Sequence, residues 1–165
     1  MKTSNNGISF TAAWERFSPT PYFATQAERA KGLFTWGFGH TGTNPPKTRL
    51  SRADALAILG QDLREAEGYV NRWAHPSITQ PVFDALVDLV FNAGPKYIQP
   101  DNVAGDFDDL VRLGKWDEVI TQLEFFRKQG GVIIPGLVRR SLARQALARG
   151  MRWQDAEAVG RNAKV

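Results

Sequence analysis

From Ser51 onward apolar residues recur at three- and four-residue steps, whereas the stretch up to Thr41 ends in a strand-like alternation. Ala55, Leu56, Leu59, Leu63, Ala66, Val70 and Trp73 predict one helix over 51–73. Ser51 with Asp54 resembles a capping box with Asp in place of Glu or Gln. Such a helix spans roughly 30 Å, long enough to join two lobes. Pro81 opens a second helix whose Val82, Phe83, Leu86, Val87, Leu89, Val90 and Phe91 make it apolar nearly all round, as the centre of a bundle requires. Asn92-Ala93-Gly94-Pro95 closes it. Residues 104–113 and 115–128 read as two shorter helices, with a flexible break at Gly130-Gly131. A last long helix, 136–149, sets Arg139, Arg140, Arg144 and Arg149 beside Leu137, Val138, Leu142, Ala146 and Leu147. Trp153 is expected to pack back on the bundle, and the tail after Val159 to fray.

Upstream, residues 8–17 fit a short amphipathic helix, stopped by Ser18-Pro19-Thr20-Pro21 because each proline lacks an N–H. Tyr22 to Thr25 reads as a strand. So does Gly32 to His40, where Thr35-Trp36-Gly37-Phe38-Gly39-His40-Thr41 alternates in the strand period. Gln26 to Lys31 reads as an exposed polar connection in a hairpin or small sheet. Thr43-Asn44-Pro45-Pro46 is a break. The fold class is therefore α+β. One domain, 1–165, is expected, with a β-containing N-terminal lobe at 8–50, a linking helix at 51–73 and a helical lobe at 74–159.

Composition narrows the function classes. The chain has 165 residues, 42% hydrophobic and 23% charged, as in ordinary globular proteins. Lys plus Arg is 21 against 17 acids, a net +4 that favours anionic partners. There is no cysteine, which excludes disulfides and thiolate metal sites. The two histidines, His40 and His75, stand alone, so neither a metal nor a cofactor is expected. Met1 to Gly7 is polar with no apolar stretch behind it, so no signal peptide is expected. No run approaches the roughly 20 apolar residues of a membrane span.

Four segments in order carry a resemblance. Glu15 is followed by G-x-x-T at Gly32 to Thr35 and T-W-G-F-G-H-T at 35–41. Asp84-Ala85-Leu86-Val87 then precedes Phe91-Asn92-Ala93-Gly94, and Gly136-Leu137-Val138-Arg139-Arg140 closes the set. Together they resemble the phage-type lysozymes, the muramidases that bacteriophages use as endolysins, over about residues 8 to 153. The resemblance implies a lysozyme-like fold, a small lobe with a β-hairpin joined by a long helix to a helical lobe. One departure is evident. The family carries a catalytic Asp in a pattern like Y-x-D, and Tyr22-Phe23-Ala24 puts Ala24 at that place. The interval from Glu15 to Thr35 is also several residues longer than the family's. The extra residues fall among Thr25 to Lys31, where Glu28 is the only acid.

Glycoside hydrolysis needs a protonated acid at the leaving oxygen and usually a second carboxylate for water or the oxocarbenium ion. The resemblance makes Glu15 the acid and Thr35 a holder of the attacking water. Glu28 is the candidate second carboxylate. Trp36, Phe38, Asn92 and Arg139 are candidate substrate contacts, and Arg139 in the family arrangement approaches the acid. His40 is expected to be structural. The implied activity is cleavage of the β-1,4 bond between N-acetylmuramic acid and N-acetylglucosamine in bacterial peptidoglycan. Two alternatives stand beside it: a lytic transglycosylase using Glu15 alone, and a wall-binding domain without catalysis. Synthesis in the bacterial cytoplasm is expected, with action in the periplasm or cell wall after holin-dependent release or delivery by a secretion apparatus. A monomer without nucleic-acid binding is expected, because apolar residues interleave the arginines of the last helix as an amphipathic helix requires.

Overall fold

The computed structural model describes all 165 residues and divides into two compact units. The smaller is continuous, Thr11–Asp62; the larger combines Met1–Phe10 with Leu63–Val165. Helices α1 (Asn5–Trp14) and α3 (Arg52–Trp73) each run from one unit into the other. The architecture is α+β and lysozyme-like, as expected, and the boundary between the units falls inside α3.

The smaller unit holds strands β1 (Ser18–Tyr22), β2 (Phe34–Gly37) and β3 (His40–Gly42) in an antiparallel sheet of order β1-β2-β3. Ser18 pairs with Gly37, Tyr22 with Thr35 and Trp36 with His40. Strand β1 contains Pro19 and Pro21, which an edge strand tolerates because a missing N–H leaves no central ladder broken. Gly39, at φ 87°, makes the tight return from β2 to β3. Under the sheet Trp36, Phe38, Ala55 and Leu59 are buried.

Two local readings need correction here. The first helix covers Asn5–Trp14, not 8–17, so Glu15 follows its end instead of riding on it. The segment Gln26–Lys31 is helix α2, not a plain connection. Thr25 caps it: its hydroxyl accepts from the Glu28 N–H at 3.1 Å while the Glu28 carboxylate accepts from the Thr25 N–H at 3.3 Å. Gly32 ends it in the left-handed conformation, at φ 64°.

In the larger unit α4 (Gln80–Ala93) is buried continuously from Val82 to Val90. Helix α7 (Pro135–Ala148) packs against it, and α8 (Trp153–Arg161) packs against α7. Helix α8 runs to Arg161, two residues past Val159, where fraying was expected to begin, and the last four residues are not helical. Gly160 makes the α8 contact possible, since a Cβ there would stand 2.3 Å from the Arg139 carbonyl oxygen. Helices α5 (Phe107–Leu113) and α6 (Trp116–Gln122) come between α4 and α7 in the chain. The expected helix over 115–128 stops at Gln122, turns through a 3-10 segment and gives way to a two-stranded hairpin, β4 (Lys128–Gln129) and β5 (Val132–Ile133).

The first residues of the chain are fastened to this unit. Thr3 donates from N and Oγ1 to Glu67 at 2.8 and 2.7 Å, and the Ser4 N–H donates to Asp84 at 3.0 Å. Gln80 donates to the Lys2 carbonyl at 2.9 Å. Burial raises the Asp84 carboxyl above its ordinary range despite the hydrogen bonds from Ser4 and Gln80.

Candidate active site

Glu15 sits at the bend where α1 has ended, half-buried, with its N–H donating to the Ala12 carbonyl at 3.3 Å. A side chain just past a helix end is fixed by the chain's change of direction rather than by helical periodicity.

Glu28 and Thr35 come together in the same unit. Glu28 is the third residue of α2, and its Oε2 accepts from the Ala24 N–H at 2.8 Å. The Thr35 hydroxyl, presented by β2, lies 3.5 Å from the same oxygen. The carboxylate therefore lies against the backbone of Ala24, the position at which the phage-type pattern has its aspartate. Oε2 takes all three contacts, and no protein donor reaches Oε1. Thr35 itself is buried.

The two aromatic candidates are core residues, which corrects the expectation that they stack on sugar rings. Trp36 is 6% exposed and Phe38 2%. The Trp36 ring packs on His40 with centroids 4.7 Å apart, and Gly42 leaves room for its edge. Phe38 packs on Phe17 at 5.2 Å, with the Arg52 guanidinium 5.1 Å from its ring centroid. The strand period is real, but both faces of β2 are covered, so alternation marked packing and not access. His40 completes the arrangement: its Nδ1 lies 2.8 Å from Asp62 Oδ1, which fixes the ring against Trp36.

In the larger unit Asn92 is exposed near the end of α4 and lines a cavity of about 310 Å³ with Lys96, Tyr97, Phe126, Lys128 and Gln129. Arg139 is half-buried on α7, and its Nε is enclosed without a hydrogen-bond acceptor. Beside it lies an ion-pair cluster whose partners, Asp88 and Arg144, sequence reasoning had given no role. Arg140 and Arg144 both reach Asp88 of α4: Arg140 at 2.7 and 3.3 Å, Arg144 at 2.8 Å. Burial alone would push the Asp88 carboxyl up, but the two guanidiniums outweigh it and hold it down at about 2. Arg144 also donates to the Asn92 side chain at 3.4 Å. The signal was present in the sequence, because an acid inside a helix apolar on every side needs a cationic partner.

The chain as a whole is similar to known proteins. The phage lysozyme family model matches residues 12–144. An endolysin of Bacillus phage PZA is 29% identical over 150 residues, which cover 89% of this chain and 55% of that protein. The chain thus spans about half the length of the Bacillus phage endolysins it matches. A SAR-endolysin of Haemophilus phage HP1 is 30% identical over 127 residues, covering 72% of this chain and 68% of that protein. Among solved structures, the active form of the P1 phage endolysin Lyz superposes with a TM-score of 0.71 at 21% identity, covering 91% of this chain and 86% of that one. The family match takes in both Glu15 and Thr35 and runs on through Asp88 and Arg140 to Arg144, and on that ground the chain belongs to the phage lysozyme family.

Proposed function

We propose that this chain hydrolyses the β-1,4 bond between N-acetylmuramic acid and N-acetylglucosamine in bacterial peptidoglycan. Glu15 gives its proton to the glycosidic oxygen as the bond to the muramyl C1 breaks. Glu28 takes a proton from the water that attacks C1, and the Thr35 hydroxyl orients that water. The observation carrying this reading is the Glu28 carboxylate, held at the Ala24 N–H and within 3.5 Å of Thr35. A carboxylate with one oxygen anchored and the other without a protein donor has a lone pair available to a water molecule. Asn92 and Arg139 are proposed substrate contacts; the buried Trp36 and Phe38 are not. The net charge of +4 suits an anionic wall polymer. No helix is long and apolar enough to cross a membrane. Delivery to the wall by a holin or a secretion apparatus belongs to the same reading.

A second reading is favoured by the same oxygen. The hydrogen bonds that Glu28 makes in capping α2 are reason enough for its presence. Glu15 would then act alone as a lytic transglycosylase, with the muramyl 6-hydroxyl replacing water. Mass spectrometry of purified peptidoglycan digested by wild type, Glu15→Gln and Glu28→Gln separates the two. Reducing muramyl ends lost in both variants support hydrolysis with two carboxylates. Anhydromuramyl ends that persist in Glu28→Gln would overturn it in favour of the transglycosylase. Binding without release of muropeptides by any of the three proteins would point to a wall-binding domain.

A further inference from the structure

The hairpin of β4 and β5 lies wholly in the larger unit. Lys128 pairs with Ile133 and Gln129 with Val132, and Gly130 and Gly131 turn the chain at φ 57° and 83°. Positive φ at both turn residues is what a two-residue hairpin loop needs, and glycine supplies it. Two short strands alone are marginal in water, so the hairpin is held from its base. The Ile134 N–H donates to the Arg127 carbonyl at 3.0 Å. Phe126 packs edge-on against Tyr97 at 4.9 Å and against Phe107 at 4.7 Å. Strand β4 contributes Lys128 and Gln129 to the cavity beside Asn92, but the side chains of β5 do not line it.

What this anchored hairpin presents to solvent is apolar. Val132 is 63% exposed, Ile133 53%, and Phe125, just ahead of the anchor, 56%. Exposed apolar residues scattered singly need no explanation, but three so close in sequence on a fixed turn do. Cations stand among them. The Lys128–Ile133 pair sets an ammonium chain beside an apolar one, and the Arg127 guanidinium lies 5.6 Å from the Phe125 ring centroid. No carboxylate is ion-paired with either cation, and the chain has no acid from Phe125 to Gln154. Val132 and Ile133 offer no flat ring to a sugar and no donor to a phosphodiester. The boundary between lipid headgroups and acyl chains takes apolar side chains and cations together. A second copy fits less well. Its hairpin carries the same cations, and two-residue strands fall far short of the roughly 800 Å² per partner of a stable interface. We propose that the hairpin tip, through Phe125, Val132 and Ile133 with Arg127 and Lys128, docks peripherally on an anionic lipid surface. The apolar side chains enter the acyl boundary while the two cations meet headgroup phosphates. This docking does not depend on the glycosidic reading.

Co-sedimentation of the full chain with vesicles tests this, using phosphatidylglycerol and phosphatidylethanolamine in equal parts, with phosphatidylcholine alone beside them. Wild type should bind the anionic vesicles, release as salt rises, and bind phosphatidylcholine little. Arg127→Gln with Lys128→Gln weakens binding by roughly fivefold for each cation removed. Val132→Ser with Ile133→Ser weakens it by about tenfold or more, through lost apolar area. Both positions are exposed, so the melting temperature of that variant stays at the wild-type value. Val159→Ser, at an exposed apolar residue of α8, leaves vesicle binding unchanged. No binding of wild type to the anionic vesicles overturns the proposal. So does equal binding to both kinds of vesicle, since charge would then play no part. Undiminished binding in both hairpin variants overturns it as well, by placing the surface elsewhere. Self-association of wild type that is lost in Val132→Ser with Ile133→Ser would give the hairpin to a second copy instead.

Discussion

The Glu28 carboxylate reaches the Thr35 hydroxyl, at 3.5 Å, from the third residue of α2, a helix of six residues. That reach depends on Thr25, whose hydroxyl accepts the Glu28 N–H and starts the helix at that residue. Thr25→Ala is expected to cost about 1 kcal/mol of stability through loss of the cap. It should also lower turnover, since the carboxylate loses its fixed bearing, whereas Thr25→Ser keeps both. Denaturant unfolding and peptidoglycan turbidity assays on the two variants check this; full activity in Thr25→Ala would make the cap irrelevant to the site.

Asp88 with Arg140 and Arg144 is a buried charge cluster, Arg144 being 1% exposed. Breaking it from one side leaves cations buried without their partner, so Asp88→Asn is expected to cost about 3–5 kcal/mol. Chemical denaturation measures this directly.

The same group sets an acid limit. Asp88 is held at about 2 against an ordinary 3.8, so the folded chain binds that proton less tightly than the unfolded one. The stability it contributes is complete above pH 4 or so and is lost as pH falls toward 2, by about 2 kcal/mol. Asp84 has the opposite sign: raised by burial, it penalises the fold when charged, and protonation on acidification relieves that penalty. Unfolding curves between pH 5 and pH 2 should therefore show a steeper loss in Asp84→Asn than in wild type.

Trp36→Ala and Phe38→Ala should behave as core truncations, each costing about 3–5 kcal/mol. At a temperature where the variants remain folded, KM for peptidoglycan should stay near the wild-type value. A raised KM with unchanged stability would return these rings to the substrate.

Gly160→Ala tests the docking of α8 on α7. The added Cβ meets the Arg139 carbonyl oxygen at 2.3 Å and the Ala143 Cβ at 2.8 Å, so one helix must shift. A loss of about 1–3 kcal/mol is expected, the range for overpacking. Unchanged thermal unfolding would mean that α8 holds loosely.

The long periodic helices were legible because α3 and α4 repeat apolar residues over many turns, and such repetition survives one or two exceptions. Helix α2 was not. It has no buried residue, so no amphipathic stripe announces it. Its one signal is T-x-x-E at Thr25 to Glu28, a capping box without a hydrophobic run behind it. The prolines of β1 hid a strand that survives only because it lies at the sheet edge. Arg144 read as one more basic position on a helix face, since a buried arginine and a solvated one are the same letter at the same spacing. Only the acid of α4 distinguishes them. For the candidate site, family pattern alone singles out Glu15 and Thr35, and their roles belong to the proposed function. Trp36 and Phe38 misled because alternation says that a face is apolar without saying whether it is covered.

The larger unit takes its first ten residues from ahead of the smaller one, and Thr3 and Ser4 fasten them to Glu67 and Asp84. Synthesis on the ribosome runs the other way. The opening segment emerges first and must wait until the whole of Thr11–Asp62 and then α3 and α4 have followed before its acceptors exist. The smaller unit has no such debt to later sequence, so it can gather its sheet while translation continues. The larger unit therefore fastens its opening segment only once α4 has emerged, although that segment was made first.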